Sequence, residues 1–183
     1  MRKSIKKLFQ ASLLAVVFFV ATQSYAQLPV NTLGISASFA SPSNMAGIIY
    51  TISNNMEFGV GILFNNESYS VETGTAAESR TTIGIGLHGS YYLSHGDVSP
   101  YLQLGLNYTG YPKEGSGPSE KTSNAIDINF AFGGHAFVVK SFAVWGQIGL
   151  GYSMYSETQN SNTQGRNNLY LFTSAVGASF YFN

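Results

Sequence analysis

His88 and Ser90 stand two residues apart in the alternating stretch Thr81–Ser94, "TTIGIGLHGSYYLS". On an extended strand that spacing puts both side chains on one face, and a histidine beside a serine is the beginning of a nucleophilic pair. No acidic third residue is in place to orient the imidazole, so hydrolysis is not expected of it. The remaining ionisable candidates are few: Glu57, Arg80, Asp127 and His135, with the polar side chains Gln103, Asn129, Trp145 and Gln147 in the same phase. They are expected to form two clusters, Glu57 with His135 and Asp127 with Arg80. A carboxylate taken out of water needs hydrogen bonds or a counter-charge, and a structural plug is the first use of such clusters; a proton or ion path is the second. No metal-ligand spacing is present, and there is no cysteine. The glycines of "GIGLHG" open no helix, which rules out a phosphate cradle. No cofactor is expected.

The elements that position these residues alternate. Ile83, Ile85, Leu87, Tyr91 and Leu93 alternate with Gly84, Gly86, His88, Ser90 and Tyr92, a period of two that marks a strand with unlike faces. Eight such segments follow residue 26: 32–40, 45–53, 56–64, 81–94, 100–111, 125–139, 142–155 and 169–182. The breaks after the second, fourth and sixth are tight ("NN", "HGDVS", "KS"). Those after the third, fifth and seventh are long and polar, beginning with "NNESYSVETGTAAESR" at residues 65–80. A meander with short turns at one end and long loops at the other follows; only the break after the first segment, also short, departs from it. No apolar run reaches the length of a membrane helix.

The faces then decide the solvent. The heavy face carries Leu33, Ile35, Phe58, Val60, Ile62, Leu104, Leu106, Ile128 and Phe130; the light face carries Ser36, Gly59, Gly61, Gly105, Asn107 and Asn129. Ile49 and Leu171 fall on the light side by simple counting. Water-facing surfaces are built from charged side chains and cramped interiors from small uncharged ones. The light face is therefore the inside, and the heavy face must meet hydrocarbon. A closed barrel is the sheet that satisfies every backbone polar group there. The expected fold is all-β: an eight-stranded antiparallel up-and-down transmembrane barrel. The tyrosines near segment ends, Tyr50, Tyr91, Tyr101, Tyr108, Tyr111, Tyr152, Tyr155, Tyr170 and Tyr181, are expected to form an interfacial girdle.

Residues 1–26 read as a cleaved signal peptide: Arg2, Lys3, Lys6 and Lys7, then "ASLLAVVFFVAT", then small residues up to a cut between Ala26 and Gln27. Residues 27–183 are then one barrel domain. With the leader removed, five basic and nine acidic residues remain, 5 − 9 = −4, and 14 of 183 − 26 = 157 residues are charged. A sparse, acidic charge complement excludes nucleic acid as a partner.

From Gln27 onward the chain resembles the small eight-stranded outer-membrane proteins of Gram-negative bacteria, of the OmpX type and the OmpA membrane domain. The local motif is "GASFYFN", with Gly177, Phe180 and Phe182 where that group has its C-terminal assembly signal. Ala175 replaces the usual polar residue, and Asn183 follows the last aromatic. The resemblance implies outer-membrane lipid as surroundings and the barrel-insertion machinery as an assembly partner. It also implies a non-enzymatic structural role, with loops that meet a surface or envelope protein. A narrow pore is the alternative. Some small barrels act on lipid A, but no residues here match the motif of the lipid A deacylases. No peptidoglycan-binding domain is expected after Asn183.

Overall fold

A computed structural model describes residues 28–40, 44–69, 78–96, 98–114, 121–159 and 162–182. The proposed leader and its cleavage site lie outside them. Eight strands are present: β1 (Thr32–Ala40), β2 (Asn44–Ser53), β3 (Met56–Tyr69), β4 (Glu78–Tyr92), β5 (Val98–Glu114), β6 (Lys121–Val139), β7 (Phe142–Gln159) and β8 (Asn162–Tyr181). Each pairs antiparallel with its sequence neighbours, and β8 pairs with β1 to close the barrel. The eight expected segments are met in number and order.

The strands are longer than the alternation suggests. β3 and β4 pair as far as Tyr69↔Glu78, inside the stretch assigned to a loop. β6 likewise starts at Lys121 and β8 at Asn162. Beyond the apolar belt a hairpin continues in polar residues, because the ladder needs backbone partners and no greasy face.

The ladder also fixes the stagger. From Ser38 the partners run through Met45, Leu63, Gly84, Thr109, Ala125 and Tyr155 to Arg166 on β8. Ser38 itself pairs with Gly177 across the closing seam, so the offset is 177 − 166 = 11 residues. One of these, Phe172, is bulged out between the pairs Leu150↔Leu171 and Gly149↔Thr173, which leaves 10. Strand number and stagger together set the width, and eight strands enclose a lumen that side chains can nearly fill.

The outside is apolar. Phe58, Val60, Ile62, Ile85, Leu104 and Ile148 each leave close to half or more of their surface uncovered. In water each would forgo about 1 kcal/mol or more of burial. Summed round the wall that exceeds the roughly 5–15 kcal/mol by which a domain is usually stable. The wall is a membrane-spanning surface, with polar side chains turned to a lumen.

Ile49 points inward as counted and joins the core, at 1% exposure. Two other expectations about facing are corrected. Leu171 points outward, because the bulge at Phe172 (φ 63°) takes up one residue and exchanges the phase of β8 on its N-terminal side. The girdle holds for Tyr50, Tyr91, Tyr108 and Tyr152, which are exposed. Tyr101 and Tyr181 are instead buried at 2% and 0%. Their hydroxyls find acceptors in the lumen, which lipid does not offer. Tyr111, Tyr155 and Tyr170 share the inward register of Thr109, Ala125 and Gly151.

Candidate functional site

The short-turn end of the lumen is sealed by a floor. Leu28, Ile49, Tyr92, Tyr101, Phe137, Ala143 and Tyr181 form one cluster there, each 2% exposed or less. Leu28 reaches it because the chain folds under the barrel. Asn31, in the left-handed region at φ 55°, donates its backbone N–H to Thr51 O at 2.8 Å. The Thr51 hydroxyl accepts from the Thr32 N–H at 3.0 Å and donates to the Pro29 carbonyl.

Glu57 is built into this floor. Tyr181 donates its hydroxyl to Glu57 Oε2 at 2.7 Å, and Tyr92 OH lies 3.5 Å from Oε1. The same Tyr92 oxygen is 2.9 Å from His135 Nδ1. A phenol has one proton, so a fully satisfied chain runs His135 Nδ1–H to Tyr92, and Tyr92 O–H to Glu57. Glu57 and His135, both 3% exposed, thus stand on one side of the wall and are joined through a tyrosine rather than to each other. His135 is packed edge-on against Tyr92 and Tyr101, at 5.3 and 5.2 Å between centroids, and stacks on Trp145 at 6.2 Å.

Glycines make room for these rings. A Cβ on Gly133 would come within 2.6 Å of the Tyr101 hydroxyl and Cζ. One on Gly59 would run into the His88 imidazole, and one on Gly177 into the Trp145 indole. Gly177 therefore has a packing duty in the lumen, whatever its part in assembly. Phe180 and Phe182, the other two residues of the terminal motif, face outward with their rings 5.6 Å apart.

Above the floor, Tyr101 donates to Gln147 Oε1 at 2.9 Å and Gln103 Nε2 to Ser90 Oγ at 3.1 Å. Ser90 is thus held by an amide, and His88 Nδ1 has no hydrogen-bond partner; no Ser–His pair forms. Trp145 Nε1 is also buried without a partner. The lumen then widens into a cavity of about 220 Å³. Asp127 lines it, opposite Asn107 on β5 and Ser153 on β7. The Arg80 side chain lies outside the described residues, so its pairing with Asp127 remains a proposal. Among the described residues no group of three histidine, cysteine or acidic side chains could hold a metal. At the long-loop end Lys121 Nζ meets Glu157 Oε1 at 3.2 Å, and Arg166 stacks over Tyr155.

Of the floor tyrosines, Tyr92 was on the inward phase with Ser90, whereas Tyr101 and Tyr181 were assigned to the interface; Tyr181 shares the phase of Ser179, so strict counting would have turned it inward.

No protein-family model and no curated protein matches the sequence. Among solved structures, the chain is similar to the N-terminal β-barrel domain of Pseudomonas aeruginosa OprF, at 13% identity and TM-score 0.49, over 84% of this chain and 98% of that one. It is also similar to a major outer membrane protein of Thermus thermophilus at 13% identity and 0.47, over 82% and 98%. Acinetobacter baumannii CarO follows at 9% and 0.46, over 85% and 99%. These likenesses are distant; the barrel itself rests on this chain's own ladder of strand pairs.

Proposed function

We propose that the protein is an integral barrel of the bacterial outer membrane, non-enzymatic and closed to through-passage. Its role is structural or recognitional, exercised through the long-loop end. The observation that carries this is the combination of an apolar wall with a sealed floor: Tyr92, Tyr101, Phe137 and Tyr181 fill the lumen at the short-turn end. The signal-peptide pattern read in residues 1–26 supports export, and Phe180-x-Phe182 supports handling by the barrel-insertion machinery. Lipid is its surroundings, and a cell-surface or envelope protein is the partner suited to its loops.

Planar-bilayer recording tests the closure. The folded chain inserts without conductance steps above leak; stable single-channel openings would replace this reading with the narrow pore. Mass spectrometry of lipid A from cells with and without the protein gives identical acyl composition if no enzyme is present.

A further inference from the structure

The closing seam does not by itself specify its register. Its inward pairs join small, uncharged residues: Ser36↔Ser179, Ser38↔Gly177 and Ala40↔Ala175. Its outward residues meet lipid in any alignment. A slip of two residues keeps every side chain on its face and every N–H and C=O aimed at its neighbour. Slipped one way, Ser38 stands opposite Ser179 and the stagger becomes 10 + 2 = 12. Slipped the other way, Ser38 stands opposite Ala175 and the stagger becomes 10 − 2 = 8. The hydroxyl contact across the seam, Ser179 to Ser36 at 3.0 Å, is remade by Ser38 in the first case. In the second, the Ser36 hydroxyl can turn to a carbonyl of β8, as it now does to Ala178 at 3.3 Å. With the strand number fixed, the stagger decides the width, and so whether the floor fills the lumen.

Tyr181 tells these alignments apart. It is the last residue of β8 and is 0% exposed. Its hydroxyl donates to Glu57 Oε2 at 2.7 Å, and Glu57 stands on β3, separated from the seam by β1 and β2. Its ring lies 5.9 Å from that of Phe137 on β6. One side chain thus touches strands reached from both sides of the seam. A slip of two residues carries β8 about 7 Å along β1. Tyr181 then stands opposite Thr32 or Ser36 instead of Gly34. The bond to Glu57 is lost, and a buried carboxylate is left short of a donor.

We propose that Tyr181 and Glu57 are the gauge that fixes the stagger: the floor, and not the seam, selects which pairing of β1 with β8 closes the barrel. Both are positioning residues. The gauge rests on the chain being a membrane barrel, which heat-modifiable gel mobility reports separately.

The chain has no cysteine, so engineered pairs read the register directly. Ser36→Cys with Ser179→Cys closes at a stagger of 10, Ser38→Cys with Ser179→Cys at 12, and Ser38→Cys with Ala175→Cys at 8. Each full-length pair is refolded from urea into phosphatidylcholine vesicles and oxidised. Disulfide closure is scored by mass spectrometry in the heat-modifiable fraction. With the floor intact, only the first pair closes. In Tyr181→Phe and in Glu57→Leu, closure of a slipped pair rises roughly tenfold. Glu57→Gln still offers Tyr181 an acceptor and keeps the unslipped pattern. The proposal is overturned if the first pair alone closes in folded Tyr181→Phe and Glu57→Leu, because the seam then sets its own register. It is overturned as well if Glu57→Gln slips as far as Glu57→Leu, or if slipped pairs close with the floor intact. Loss of the gel shift in both floor variants also overturns it, since a lost gauge leaves a barrel of another stagger. Loss of the shift with the floor intact would instead overturn the membrane barrel, and the gauge with it.

Discussion

Tyr181 and Glu57 are joined by a 2.7 Å hydrogen bond although 124 residues separate them and their strands are not neighbours. The bond crosses the lumen from the last strand to the third, and it can form only once the ring of strands is closed. Tyr181→Phe removes the donor and leaves a buried carboxylate oxygen unsatisfied, a loss of about 1–3 kcal/mol. Urea unfolding in lipid vesicles reads it as a lower midpoint at unchanged slope. An unshifted midpoint would mean that the floor is not held by this contact.

Gly59 and the His88 ring form a second checkable pair. Gly59→Ala puts a methyl group where the imidazole lies, and overpacking of that kind costs about 1–3 kcal/mol. His88→Ala alone also destabilises, by opening a void. The two together lose less than the sum of the singles, which a double-mutant cycle measures; strict additivity would show that the ring and the glycine are not in contact.

Facing is tested by adjacent positions. Phe130 is half exposed on the outer wall, and Asn129 lines the cavity. A nitroxide attached at Phe130→Cys is relaxed by oxygen dissolved in lipid, and one at Asn129→Cys is not. The opposite order would turn the barrel inside out.

Phe172 occupies the left-handed region, which costs a non-glycine residue about 1–2 kcal/mol. Phe172→Gly therefore keeps or raises stability in the same unfolding assay. Deleting Phe172 is tolerated as well, since Leu171 and Thr173 then follow in regular alternation with their present faces. Deleting Phe130, where the ladder has no bulge, exchanges the faces of half a strand, and the chain no longer folds into a heat-modifiable form.

The strands and their outer face were legible because lipid-facing and lumen-facing residues differ in size and polarity at every second position, as along Ile83–Leu93. The polar extensions beyond Phe64 and before Ala125 were not, because pairing there leaves no apolar trace. Leu171 was misplaced for a backbone reason, a bulge that counting by twos cannot detect. In the candidate site, Glu57 and His135 were identified from their phase, whereas Tyr101 and Tyr181 were assigned to the interface because a tyrosine near a strand end suits both places. Which place it takes is settled by where an acceptor stands, and that depends on residues far away in sequence.

The closing seam carries seven described register pairs, from Gly34↔Tyr181 to Ala40↔Ala175, against eighteen between β7 and β8. Under pulling force or harsh detergent the cylinder would unzip along this line first, β1 peeling from β8 while the other hairpins still hold. The same line is where a newly made sheet must be stitched shut, so substitutions from Gly34 to Ala40 should slow maturation more than equal changes in β6 or β7.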